Sequence, residues 1–160
     1  MTKNAFTLIE LIFVMVVVGI LAAVALPKFR GLSSNSKITS ETATASTIQS
    51  ALEDIHSDWV VSEGSMTWGN GKTQNDLNSA GYPKQLGDCD PAFNWILKNS
   101  SAVDSKWHCT KSGTKFLYRG PASDAAKGVA ENGAGKPDKN DCWIYDPAQG
   151  TFTLSEGCNP

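Results

Sequence analysis

The chain has 160 residues and a mass of 17.1 kDa, room for one compact domain and an appendage but not for two large domains. Apolar residues make up 41% and charged residues 19%, which is outside the composition of disordered chains. Fourteen Lys and Arg against sixteen Asp and Glu demote duplex nucleic-acid binding, which needs a basic excess to neutralise phosphates.

The averages conceal two unlike parts. Residues 1–37 hold Lys3, Lys28, Arg30 and Lys37 against the single acid Glu10, whereas residues 38–160 hold 10 basic and 15 acidic groups. Leu11 to Leu26 runs without a charge. Phe6 to Leu26, as a helix rising about 1.5 Å per residue, spans about 31 Å, close to the roughly 30 Å of a bilayer's hydrocarbon core. The run is apolar all round rather than on one stripe, which disfavours a buried core helix. A cleaved secretory signal is the other reading, with Lys3 as its basic start and Ala22-Ala23-Val24-Ala25 as its small-residue site. A retained membrane helix fits best. Glu10 stands out inside the stretch, because an ionised carboxylate there needs either water at the membrane edge or a cationic partner.

Ala5-Phe6-Thr7-Leu8-Ile9-Glu10, followed by an apolar run with Gly19 and Pro27, resembles the class III signal of type IV pilins and pseudopilins. The resemblance covers residues 3–30. It implies a leader of residues 1–5, cleavage by a prepilin peptidase between Ala5 and Phe6, and methylation of the new Phe6 amine. It further implies that Glu10 acts in assembly by pairing with the Phe6 amine of a neighbour, two opposite charges sharing a low-dielectric site. The family usually has Gly before the cut, where this chain has Ala5. The implied partners are identical or related pilin subunits, the inner-membrane assembly machinery and the membrane itself. Three cations after the span would hold the head in the cytoplasm by the positive-inside rule, but the resemblance and the cysteines place it outside.

Pro27 lacks an amide donor and crowds the preceding turn, so Gly19 and Pro27 predict a kink or weak stretch in the helix. Beyond it Ile38, Ala45, Ile48, Leu52, Ile55 and Trp59 recur at helical spacing and predict one apolar stripe. Ten of the nineteen residues 32–50 are Ser or Thr, which lowers intrinsic helicity and leaves tertiary packing to hold this part. The expected layout is a transmembrane or filament-core helix over 6–27, an amphipathic stalk helix over 28–59 and a globular head over 60–160.

Within the head, residues 62–83 read as a long loop with little regular structure. Gly69-Asn70-Gly71-Lys72-Thr73 is no phosphate loop, since position 66 is Met66 where a Gly is required. Ala92 to Leu97 reads as a short helix or strand. Lys115–Arg119 and Cys142–Asp146 are predicted strands, and Thr151–Leu154 is predicted to return as a hairpin after Asp146-Pro147-Ala148-Gln149-Gly150. Residues 128–141 read as an exposed loop. The fold class is α+β, a long N-terminal helix packed on a small antiparallel sheet in a pilin-like arrangement.

Cys89, Cys109, Cys142 and Cys158 all fall in the head and allow three pairings. Sequential pairing closes short loops and suits the hairpin, and disulfides imply an oxidising compartment. A zinc site would want C-x-x-C spacing, which is missing. The Cys142–Cys158 stretch also resembles the disulfide-bounded region of many type IV pilins.

No catalytic constellation is found, so no enzyme activity and no cofactor are expected. His56 and His108 are isolated, and neither G-x-S-x-G nor H-E-x-x-H occurs. Asp88 with Asp90 and Asp138 with Asp141 form acid pairs; the second is a weak calcium candidate in a family where some pseudopilins bind calcium in a C-terminal loop, although its ligand series is incomplete. Five tryptophans read mainly as core. Lys106, Lys111, Lys115 and Arg119 form a modest basic cluster that reads as a solvated face, and Asn99-Ser100-Ser101 is a weak glycosylation signal. The function expected is a structural subunit of a type IV pilus-like filament, held in the inner membrane before assembly and found in an extracellular pilus or periplasmic pseudopilus after it. A type II secretion pseudopilin is the alternative within the family. A secreted enzyme or binding domain with a conventional signal peptide is the alternative outside it.

Overall fold

The structure, a computed structural model, describes residues 7–63, 65–89, 91–98 and 106–158. The chain divides into two compact units, residues 1–36 and residues 37–160. One helix, α1 (Leu8–Val61), contributes to both. It continues through Pro27, whose missing N–H leaves the Ala23 carbonyl without its intrahelical donor. It ends at Val61 rather than 59, where the chain turns through Glu63 at φ 52°.

The Ser/Thr-rich stretch is helical because its hydroxyls turn back onto the helix. Ser36, Thr44, Ser46 and Thr47 each donate to the carbonyl four residues earlier, at 2.9–3.0 Å. Such bonds satisfy the hydroxyls without breaking the backbone ladder. The decisive contribution is tertiary: Ala45, Ile48, Leu52 and Ile55 are buried, with Ile38 and Trp59 half-buried at the ends of the stripe.

The head sheet has four antiparallel strands in the order β3 (His108–Ser112), β4 (Lys115–Arg119), β5 (Cys142–Asp146) and β6 (Thr151–Ser155). Strand alternation places Phe116, Tyr118, Trp143, Tyr145 and Phe152 in the core with Ala45, Ile48 and Leu52 of α1. Aromatic rings dominate: Trp143 stacks on Phe152 at 5.5 Å and Phe93 on Tyr118 at 5.0 Å. Leu86, Ala92, Phe93 and Trp107, from the irregular segments, complete the cluster.

The central strands lie where periodicity placed them, and β6 extends one residue further, to Ser155. Three other expectations are corrected, and one strand, β3, was not foreseen. Residues 62–83 contain a small hairpin, β1 (Thr67–Trp68) with β2 (Lys72–Thr73), and a 3-10 turn at Gln74–Asp76 capped by Thr73. Its turn needs Gly69 at φ 50°, and a Cβ there would lie 2.0 Å from the Trp95 carbonyl oxygen. Ala92 to Leu97 forms turns, neither helix nor strand, with Ile96 and Leu97 amides donating to the Phe93 carbonyl. Strand β3 has no apolar alternation in its sequence; it exists because β4 offers it a ladder from His108↔Arg119 to Ser112↔Lys115. The loop over 128–141 is not uniformly exposed, since Val129, Pro137, Asp138 and Asp141 are buried.

Candidate functional site

The first unit presents an uncovered apolar helix. Every large apolar side chain from Leu8 to Leu32 is exposed, and the segment is long and apolar enough to cross a membrane. Removing one such side chain from water stabilises by about 1.5–3 kcal/mol, so this helix has a strong demand for lipid or other chains. Gly19 and Gly31 have open space where a Cβ would stand. Glu10 sits exposed in the first turn, its amide directed to the Thr7 carbonyl at 3.1 Å. A carboxylate there is favoured by the positive end of the helix dipole. Ala5 and Phe6, the expected cleavage and methylation positions, lie outside the described residues.

The second unit is organised around a residue that sequence reading passed over. Glu41, fully buried on α1, accepts hydrogen bonds from the Ala122 amide (2.6 Å), the Ser123 amide (3.0 Å), Ser123 Oγ (2.7 Å) and Trp143 Nε1 (2.8 Å). Four donors converge on one carboxylate, with no cation among the described residues paired to it, tying α1 to β5 and to the turn after β4. Gly120 is required beside it: a Cβ would stand 2.6 Å from Glu41 Oε2. The available signal was position, because Glu41 shares the face of Ile38, Ala45 and Ile48, where a charge is expected only if paired.

Two disulfides fasten the sheet. Cys89–Cys109 anchors the irregular segment to edge strand β3, and Cys142–Cys158 ties the chain end to β5. Arg119 adds a hydrogen bond to the Cys158 carbonyl at 2.5 Å.

The acid pairs serve their loops. Asp138 accepts from the amides of Asn132 (3.1 Å) and Asn140 (2.9 Å), and Asp141 from those of Asp138 (3.0 Å) and Gly157 (3.2 Å). Glu131 and Glu156 line the same hollow of about 190 Å³, but Glu156 is taken by the Gly135 amide. Among the described residues no three His, Cys, Asp or Glu side chains are placed to share an ion. Asp88 is held by Asn94 Nδ2 and Trp95 Nε1, while its partner Asp90 lies outside the described residues, as does the Asn99 sequon.

The histidines are not brought together. His56 stacks on Tyr82 at 4.4 Å, and His108 faces Asp124 across 3.7 Å. The basic cluster is dispersed as well. Lys115 pairs with Asp146 at 3.2 Å, Arg119 bonds the chain end, and Lys111 sits 5.6 Å above the Phe116 ring. Trp68, Trp107 and Trp143 are buried, with Trp59 and Trp95 half-buried. Burial drives the phenols of Tyr118 and Tyr145 well above their ordinary range. The Ala148 amide and then Lys115 hold Asp146 below the usual carboxylate range; the Lys127 and Ala126 amides do the same for Asp124.

Residues 1–26 match the family model described as the prokaryotic N-terminal methylation motif, the class III prepilin signal of type IV pilins and pseudopilins. That signal belongs to a structural class of protein rather than to an enzyme class, and it implies processing by a prepilin peptidase and assembly into multi-subunit filaments. Together with the apolar helix it fits insertion in a membrane before assembly. No solved structure matches the chain.

Proposed function

We propose that this chain is a prepilin that matures into the structural subunit of a type IV pilus-like filament. The leader is residues 1–5, the cut falls between Ala5 and Phe6, and the methylated amine is that of Phe6. Residues 6–27 anchor the unassembled subunit in the inner membrane and afterwards pack in the filament core. Residues 28–59 form the stalk, and residues 60–160 the head outside the cytoplasm, where disulfides persist. Assembly transfers the helix from lipid to the company of other subunits, both apolar, so little hydrophobic energy is lost in the exchange. Glu10 selects the arriving position by pairing with the Phe6 amine of its neighbour. The observation that carries this reading is the uncovered apolar face from Leu8 to Leu32, interrupted only by Glu10, Lys28 and Arg30, inside and just beyond the matched signal.

The deciding measurement is intact mass and N-terminal sequence of the protein from sheared surface material and from membranes. A chain beginning at methylated Phe6 in sheared filaments supports the pilus subunit, and the same chain confined to membranes supports a pseudopilin. A soluble chain beginning near residue 26 overturns both. In a Glu10→Ala variant the same cleavage and methylation are expected in membranes, with filaments reduced to traces.

A further inference from the structure

Two charged clusters of opposite sign stand apart on the head unit. Lys37, Lys106, His108, Pro121, Asp124 and Lys127 line a recess of about 270 Å³. Lys37 Nζ donates to the Lys127 carbonyl at 2.5 Å, which brings the first turn of the head's helix to this loop. The one acid present, Asp124, is already engaged by the amides of Ala126 (2.9 Å) and Lys127 (2.6 Å). The recess is therefore positive in a head whose net charge is negative.

The opposite charge gathers near the end of α1. Glu53, Asp54 and Asp58 are exposed there, and the last turn has no basic residue. The only ion pairs among the described residues are His108–Asp124 and Lys115–Asp146, so none of these three acids is paired. Asp58, in the last turn, is unfavourably placed in an isolated chain, because the C-terminal end of a helix is the negative end of its dipole and prefers cations. Among the described residues of the head no cation pairs with it. From Lys37 to Asp58 the helix advances about 31 Å at about 1.5 Å per residue, too far for the two clusters to meet within one copy.

We propose that the basic recess of one copy receives the Asp54–Asp58 end of the helix of a second copy, in a head-to-tail contact. The surfaces are different patches of the same chain, so the contact is heterologous; it need not close and propagates as an open array. The inference rests on the filament reading above and names which head surfaces meet. The attraction joins exposed charges, so it is screened by salt and acts on the register and specificity of assembly more than on its total strength.

Zero-length carbodiimide cross-linking of full-length protein in membranes and sheared filaments, followed by peptide mapping, tests it directly. The separation along the helix forbids the link within one copy, so a peptide joining Lys106 or Lys127 to Asp54 or Asp58 reports a neighbour and is the expected result. Copies linked only at other positions overturn this contact and leave the filament reading standing. No links between copies, with a soluble chain starting near residue 26, overturns both. A second arm reverses charge. Lys106→Glu with Lys127→Glu is expected to lower filament yield about fivefold, and adding Asp54→Lys with Asp58→Lys to restore it. Unchanged yield, or failure of the restoration in a head of unchanged thermal midpoint, overturns the contact. Retention of the wild-type chain on anionic vesicles through the same lysines, without the cross-link in filaments, assigns the recess to lipid and overturns it too.

Discussion

Along α1 the apolar residues up to Leu32 face outward on every side, whereas those from Ala45 to Ile55 are confined to one buried stripe. The two stretches share a backbone conformation and differ in where their hydrophobic energy is realised. The head part finds its partners inside the chain, in Phe93, Tyr118, Tyr145 and Phe152. The front part finds none among the described residues of its own unit and must take them from lipid or from other subunits. Their carboxylates differ in the same way: Glu41 is buried among four donors from its own chain, and Glu10 stands exposed.

The largest expected effect that sharpens this contrast is at Glu41. Glu41→Ala strands several buried donors and is expected to lower head stability by about 3–5 kcal/mol in urea denaturation; Glu41→Gln, which retains both acceptor and shape at one oxygen, costs less. Leu52→Ala, in the fully buried stripe, is expected to cost about 2–5 kcal/mol in the same assay. Leu21→Ala, on the uncovered half, is expected to leave the thermal midpoint of the head within error while weakening membrane retention. A Leu21→Ala head that melts early would break the comparison. Replacing Cys142 and Cys158 by Ser removes a loop closure of 16 residues and is expected to cost about 3 kcal/mol.

The smallest expected effects come from pH. Asp146 and Asp124 are held below their ordinary range, so their contribution is present above the unfolded carboxylate value, about 4, and fades as pH falls through the folded one. Tyr118 and Tyr145 are raised, so their contribution is complete below about pH 10 and is lost as pH rises beyond it. Thermal midpoints from pH 3 to pH 11 are expected to fall at both ends, with the alkaline fall reduced in Tyr118→Phe. An acid limb that is unchanged in Asp146→Asn would remove that group from the account.

Much was legible from residue order alone. Simple inspection shows that Leu11 to Leu26 carries no charge, and spacing by three and four exposes the stripe of Ile48, Leu52 and Ile55. Strands β4 and β5 were legible because their own residues alternate between core and solvent. Strand β3, His-Cys-Thr-Lys-Ser, has no such alternation, and its conformation is dictated by the ladder with β4 and by Cys109. The hairpin at 67–73 was hidden for a related reason, as it rests on Trp68 Nε1 reaching the Thr73 carbonyl and on Gly69 fitting under Trp95.

Residue order sets the division of labour: an apolar front helix with one carboxylate near its start, a striped second half, and four cysteines reserved for the head. Those features depend on neighbours along the chain, within reach of one helical turn or one strand pleat. Folding settles which cysteines pair, why Glu41 is tolerated in the core, and that Lys37, Lys106 and Lys127 line one recess. Each of these joins groups far apart in the chain, Glu41 with Ser123 and Trp143 or Lys37 with Lys127, and a desolvated carboxylate or a converging set of lysines acquires its meaning only from the partners that folding brings within hydrogen-bond distance.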